Sequence, residues 1–413
     1  MKNSDTNGGV SSRPRKKATR LYYLDWLRVI GTLLIFAFHS AAPFHPWFDW
    51  HIRSVQKSEF LGWVNTAFYS WPMPLFMLLA GAGTWFALGR RTNRQFVGER
   101  VMRLFLPLLI GVIILIPPQV YLERVQRWQF RGSFLEFLPH AFEGGPYPEG
   151  NLSLGQLWFL LYLFLYALAM LPLFRFLRGD TGRRWVSGLA ALSERRGGIL
   201  ILALPLIVGQ IALGWRFPET HNLVSDWMWH WQLLSAFVLG YILYSDARFE
   251  AAIARDWPLA LVLALASSAG MLLLFGSGRG YAFDLVFGFG SPRLLRLTRY
   301  QLLYALGSTL FRLNTWTFLI LVLGLAQKYL RASSRFLMYA SRASGTVYLL
   351  HQTVIILVAF YVVQWRIAIL PKFLIILTVS LAITMALYEI IRRWSVTRFM
   401  FGLKGGGRRP ASG

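Results

Sequence analysis

Asp25, Arg28 and His39 stand in the first apolar stretch of the chain, with Arg28 three residues after Asp25 and His39 eleven after Arg28. An α-helix turns about 100° and rises about 1.5 Å per residue, so eleven steps make three turns plus roughly 20° and climb about 16 Å. All three side chains therefore line one face, and a carboxylate three residues before a guanidinium is placed to meet it. Ionisable groups at membrane depth are costly and face a bundle interior or an aqueous cavity. An imidazole kept neutral there accepts a proton at neutral pH, which suits deprotonation of a hydroxyl nucleophile. Its competing use is a helix-to-helix hydrogen bond. Arg28 on the same face argues for more than packing, because an unpaired guanidinium packs poorly.

Three other places hold residues with chemical potential. Arg100 and Arg103, preceded by Glu99, are three apart and on a helix would form a fork for phosphate or carboxylate, or else a basic anchor at the membrane face. His351 lies in the run Ser341–Gln352, where it completes a site or bonds a neighbouring helix. Trp158, in Gln156–Leu160, sits where an interfacial belt residue is also expected. Asp25, Trp158 and His351 are thus candidate supporting residues. No metal site is expected, and the absence of cysteine excludes structural disulfides, Cys-ligated zinc, iron–sulfur clusters and a thiol nucleophile.

The elements that must position these groups follow from composition. The chain has 413 residues, 55% hydrophobic and 16% aromatic, with mean hydropathy +0.46, which reads as an all-α polytopic membrane protein. Apolar segments near 22–43, 61–88, 101–121, 154–176, 198–217, 227–245, 256–275, 301–326, 344–364 and 369–391 predict a bundle of about ten transmembrane helices. The segment at 301–326 carries the weakest signal, since Arg312 and Asn314 interrupt it. An even count puts both termini on one side. Most of the 43 Lys and Arg then fall on that side, including Arg90, Arg91, Arg94, Arg183 and Arg184, which predicts cytoplasmic termini. The formal charge of +25 fits such loops facing anionic lipid, and no nucleic-acid motif accompanies it.

Residues 1–20 read as a disordered basic arm, 21–395 as the transmembrane domain and 396–413 as a basic tail. A cleaved signal peptide is not expected, because the first apolar run carries Arg28 and His39 and is long enough to span. The two long polar loops, about 122–153 and 276–300, fall outside; they mix carboxylates, aromatics and turn formers that would hold a polar acceptor or merely connect helices. Pro72 and Pro74 open a segment ending in Ala80–Gly83, small residues that permit close helix approach. No internal repeat is visible.

Leu24–Arg28 followed by His39 resembles the Arg, ten residues, His signature of the membrane-bound acyltransferase 3 family. The likeness continues in order through Pro74–Phe76 to Ala80–Gly81, Arg100–Arg103 to Pro107, Leu157–Leu160 and Ser344–His351. The opening Tyr23–Arg28 looks most like the glucan biosynthesis protein C branch, whose members are associated with succinylating periplasmic glucans. The resemblance implies an inner-membrane O-acyltransferase that takes an acyl group from cytoplasmic acyl-CoA, with no bound cofactor, and delivers it to a hydroxyl of an extracytoplasmic carbohydrate. It implies His39 as catalytic base, Arg28 as its essential partner, and Arg100 and Arg103 as contacts to donor phosphates. The family often has Ser where this chain has Ala80, so no role is carried over there. The rival expectation is a transporter or flippase using the buried Arg and His as a substrate or proton pathway.

Overall fold

The computed structural model describes residues 20–47, 49–217, 223–275 and 298–403. Residues 1–19 of the predicted arm, most of the loop at 276–300 and the end of the tail lie outside the described residues. Within them the chain is helical, with no strand and one isolated bridge between Pro146 and Leu152.

The apolar stretches become α1 (Tyr22–Ala41), α2 (Glu59–Tyr69), α3 (Pro72–Leu88), α4 (Asn93–Arg100), α5 (Leu106–Ile114) and α6 (Ile116–Gln126). These are followed by α7 (Trp158–Ala169), α8 (Leu171–Arg178), α9 (Asp180–Glu194), α10 (Leu204–Leu213), α11 (Trp227–Leu243) and α12 (Ala247–Phe275). The last three long helices are α13 (Thr298–Tyr329), α14 (Arg335–Val362) and α15 (Ile369–Ile391). Prolines explain several of the breaks. Pro72, Pro107, Pro117, Pro172 and Pro205 each sit in the first turn of a helix, where a missing N–H costs no hydrogen bond. Ser58, Thr92 and Ser334 cap three other starts with their hydroxyls.

Among the described residues, seven helical segments are long and apolar enough to cross a membrane. A pair bent by 47°, Gly155–Ala169 with Leu171–Arg178, makes an eighth when counted as one. The count differs from ten because two predicted stretches end early. Gly198–Leu213 is a shorter apolar helix, and α11 has 17 residues, about 25 Å of rise. The segment with the weakest signal, by contrast, is an unbroken helix. Arg312 is buried and donates to Gln210 of α10 at 2.8 and 2.5 Å, while Asn314 donates to Ser267 and Ser268 of α12 at 3.0 and 2.8 Å. The interrupting polar residues are interhelical hydrogen bonds.

The small-residue run has a similar explanation. A Cβ on Gly81 would stand 2.0 Å from the Phe237 carbonyl oxygen, and one on Gly240 would stand 2.1 Å from that of Leu78. Backbone meets backbone between α3 and α11, which only glycine allows at that distance. On the other side, α1 packs along α14 and α15, and this seam carries the candidate site.

Candidate active site

The Asp25 end of α1 is an ion-pair knot. The Asp25 carboxylate, only 7% exposed, accepts from Arg28 at 3.0 Å, from Arg20 at 2.7 Å and from the Ser341 hydroxyl of α14 at 3.0 Å. The three-residue spacing does what it predicted. The Arg28 side chain keeps 39% of its surface exposed, so it is a paired but half-solvated cation, not a buried one.

His39 lies in the last turn of the same helix, about 16 Å further along its axis. Its Nδ1 is 3.0 Å from the Ile35 carbonyl oxygen. A carbonyl can only accept, so Nδ1 carries the hydrogen and, in the neutral ring, Nε2 carries the lone pair. His351, buried on α14, has the same arrangement: Nδ1 donates to the Tyr348 carbonyl at 2.6 Å, and Nε2 is buried without a hydrogen-bond partner. The two rings meet edge to face with centroids 5.0 Å apart. Of the candidates, the structure thus brings His39 and His351 together, and Asp25 and Arg28 together, at separate ends of α1.

Two features around this pair were missed by sequence reasoning. Trp50, 6% exposed, places its ring 6.0 Å from that of His39. It lies in the connection after α1, where no periodic pattern marks it. On the α14 side, Gln119 of α6 donates to Gln156 at 3.0 Å and to Thr353 at 2.8 Å, and Gln352 donates back to Gln119 at 3.0 Å. This buried amide network locks α6 and the start of α7 to the turn of α14 that carries His351. Its only sequence signal was three glutamines in apolar surroundings.

Arg100 and Arg103 flank the first residues of a π-helical turn, Val101–Phe105, and have different side-chain partners. Arg103 pairs with Glu99 at 3.2 Å, sharing that carboxylate with Arg91 at 2.9 Å. Arg100 instead lies over the Phe96 ring at 4.6 Å, its Nε buried without a hydrogen-bond partner. Trp158 belongs to another cluster. Its ring is 5.2 Å from that of Tyr162, which donates to buried Asp226 at 3.0 Å, while Tyr166 donates to His230 Nδ1 at 2.7 Å. Among the described residues, no three His, Asp or Glu come together to hold a metal ion.

Comparison with known proteins places the sequence in a family. A family profile described as an acyltransferase domain covers residues 21–389. The chain is 22% identical over 408 residues to glucans biosynthesis protein C of Salmonella paratyphi B, and equally over 407 residues to that of Salmonella schwarzengrund. Each alignment spans 94% of this chain and 96% of the relative. No solved structure matches. The bundle of apolar helices, with its polar seam between α1 and α14, therefore belongs to the acyltransferase 3 family, and the chain is a multi-pass membrane O-acyltransferase.

Proposed function

We propose that the protein moves an acyl group from cytoplasmic acyl-CoA to a hydroxyl of an extracytoplasmic carbohydrate, with His39 as the base. The observation that carries this reading is the fixed His39 ring: Nδ1–H is held by the Ile35 carbonyl, so Nε2 offers its lone pair beside buried His351 and Trp50. The acceptor oxygen loses its proton to His39 Nε2 and attacks the thioester carbonyl carbon. The new C–O bond forms, the C–S bond breaks, and the imidazolium returns its proton to the departing thiolate. Protons and charge balance without a further group. His351 supplies a second fixed lone pair at the same place, able to accept from a bound hydroxyl and hold it in line.

Arg28 acts in positioning and attraction. Its pairing with Asp25, which also binds Ser341, ties α1 to α14, and its exposed surface presents N–H donors to an anionic donor. Arg100 and Arg103 lie with Arg91 on the α4 side of the bundle, and this basic group attracts the phosphates of CoA. In this reading all ten apolar segments cross the inner membrane with both termini in the cytoplasm, as the distribution of Lys and Arg favours. The relatives' name makes a glucan the first acceptor to try.

The test uses purified protein in liposomes with labelled acyl-CoA and glucan oligosaccharides. His39→Ala is expected to slow transfer by roughly 10²–10⁴-fold, the usual contribution of a positioned base. Transfer at the wild-type rate would remove His39 from the chemistry. A cytoplasmic signal from a reporter at residue 145 would reverse the orientation.

A further inference from the structure

Glu123, at the last turn of α6, is fully buried. The sequence placed it in an outer loop; in the structure it gathers two loops around itself. The Tyr147 hydroxyl donates to both of its oxygens at 3.1 Å, Arg127 pairs with it at 3.0 Å, and His51 Nδ1 bonds it more closely still. Burial, and then the neighbouring Glu123 carboxylate, push the Tyr147 phenol up, so it remains a neutral donor. His51 comes from the connection between α1 and α2, and Tyr147 from the connection between α6 and α7.

The same cluster reaches the candidate base. Arg127 also donates to the Trp50 carbonyl at 3.1 Å and pairs with Asp49 at 3.4 Å. Gln126 grips Arg53 from both sides, accepting from its N–H at 2.8 Å and donating to its carbonyl at 3.1 Å. Between these grips lies Trp50, its ring 5.9 Å from His51 and 6.0 Å from His39. A carboxylate stripped of water and serving only to tie loops would be a costly device, since apolar packing does that work without desolvating charge. Its distinctive product here is a fixed indole against the His39 ring.

We infer that Glu123 is a positioning residue for the acceptor side of the site: through Arg127 and His51 it holds Trp50 beside His39, and so sets how a polyhydroxylated acceptor presents one hydroxyl to the base. The inference rests on the acyl-transfer reading of His39. An indole held in this way is a buried wall behind the His39 ring, so it sets the angle at which the base meets an incoming hydroxyl, a constraint that matters more for a bulky polyol than for a small alcohol. Selection of a polyol over a simple alcohol is then the property that Glu123 controls.

The experiment compares wild type, Glu123→Gln, Trp50→Phe and the double variant, full-length in lipid nanodiscs, with acyl-CoA and either a glucan oligosaccharide or a single-hydroxyl alcohol. Acceptor-free hydrolysis of acyl-CoA is followed alongside. Glu123→Gln is expected to lower kcat/KM for the oligosaccharide by about tenfold, the size of one lost charged hydrogen bond. The KM for acyl-CoA and the acceptor-free hydrolysis should stay unchanged, and the preference for oligosaccharide over alcohol should fall. Trp50→Phe, which keeps an aromatic core residue, should move the preference in the same direction, and the double variant should lose no more than the larger single. An unchanged preference, equal losses in all three reactions, or fully additive effects would overturn the inference. Absence of transfer from acyl-CoA by wild type would instead overturn the reading of the site on which it rests.

Discussion

At the Asp25 end of α1 one carboxylate is shared by two guanidinium groups that keep much of their surface exposed. At the His39 end two imidazoles meet, His351 buried and His39 half-buried, each held in one tautomer by a carbonyl of its own helix. The contrast separates two jobs. Half-solvated cations attract and orient a charged donor while screening weakens each individual contact. Rings fixed in one tautomer are prepared for proton transfer, where alignment counts most.

Substitutions at the two ends test that division. His39→Ala should produce the largest loss, about 10²–10⁴-fold in kcat with little change in the KM for acyl-CoA; a change confined to KM would place His39 with the donor. His351→Phe keeps the ring volume but removes the second lone pair, and a loss of roughly five- to thirtyfold in kcat is expected. Steady-state rates at saturating donor check both. Arg28→Ala should raise the KM for acyl-CoA about tenfold and leave the protein folded, because Asp25 retains Arg20 and Ser341. A fall in kcat as large as that of His39→Ala would erase the contrast between the ends. The smallest effect is expected from Arg103→Ala: its pair with Glu99 is partly exposed and Glu99 keeps Arg91, so acyl-CoA affinity should drop less than about threefold, and less at high salt. Arg100→Ala should exceed it, since that guanidinium lies over the Phe96 ring with its Nε buried and without a hydrogen-bond partner. Direct binding measurements at two salt concentrations order the pair.

Much of the helical frame was legible in the sequence. All ten apolar stretches are helical over most of their length, because runs of that hydropathy have one economical way to satisfy their backbone. The Asp25–Arg28 pair was legible for the same reason: a three-residue spacing is a statement about one helix. Arg100 and Arg103 show the limit of that logic, since spacing did not reveal the π turn there or the separate partners of the two guanidinium groups. Glu123 shows another limit. Its surroundings in sequence are polar, Arg127 lies four residues along the same helix end, and only the arrival of His51 and Tyr147 from two other connections makes a buried site there.

The sequence by itself determined which residues of α1 share a face and how far apart they lie along its axis, since helical geometry needs nothing beyond spacing. Tertiary structure alone decided that His39 meets His351 from 312 residues away, that Trp50 lies beside His39 and that Glu123 is buried. Such contacts depend on which helix packs beside which. Here that is set by the backbone contact at Gly81 and Gly240 and by the buried hydrogen bonds joining separate helices, and periodicity within one segment carries no record of its neighbour.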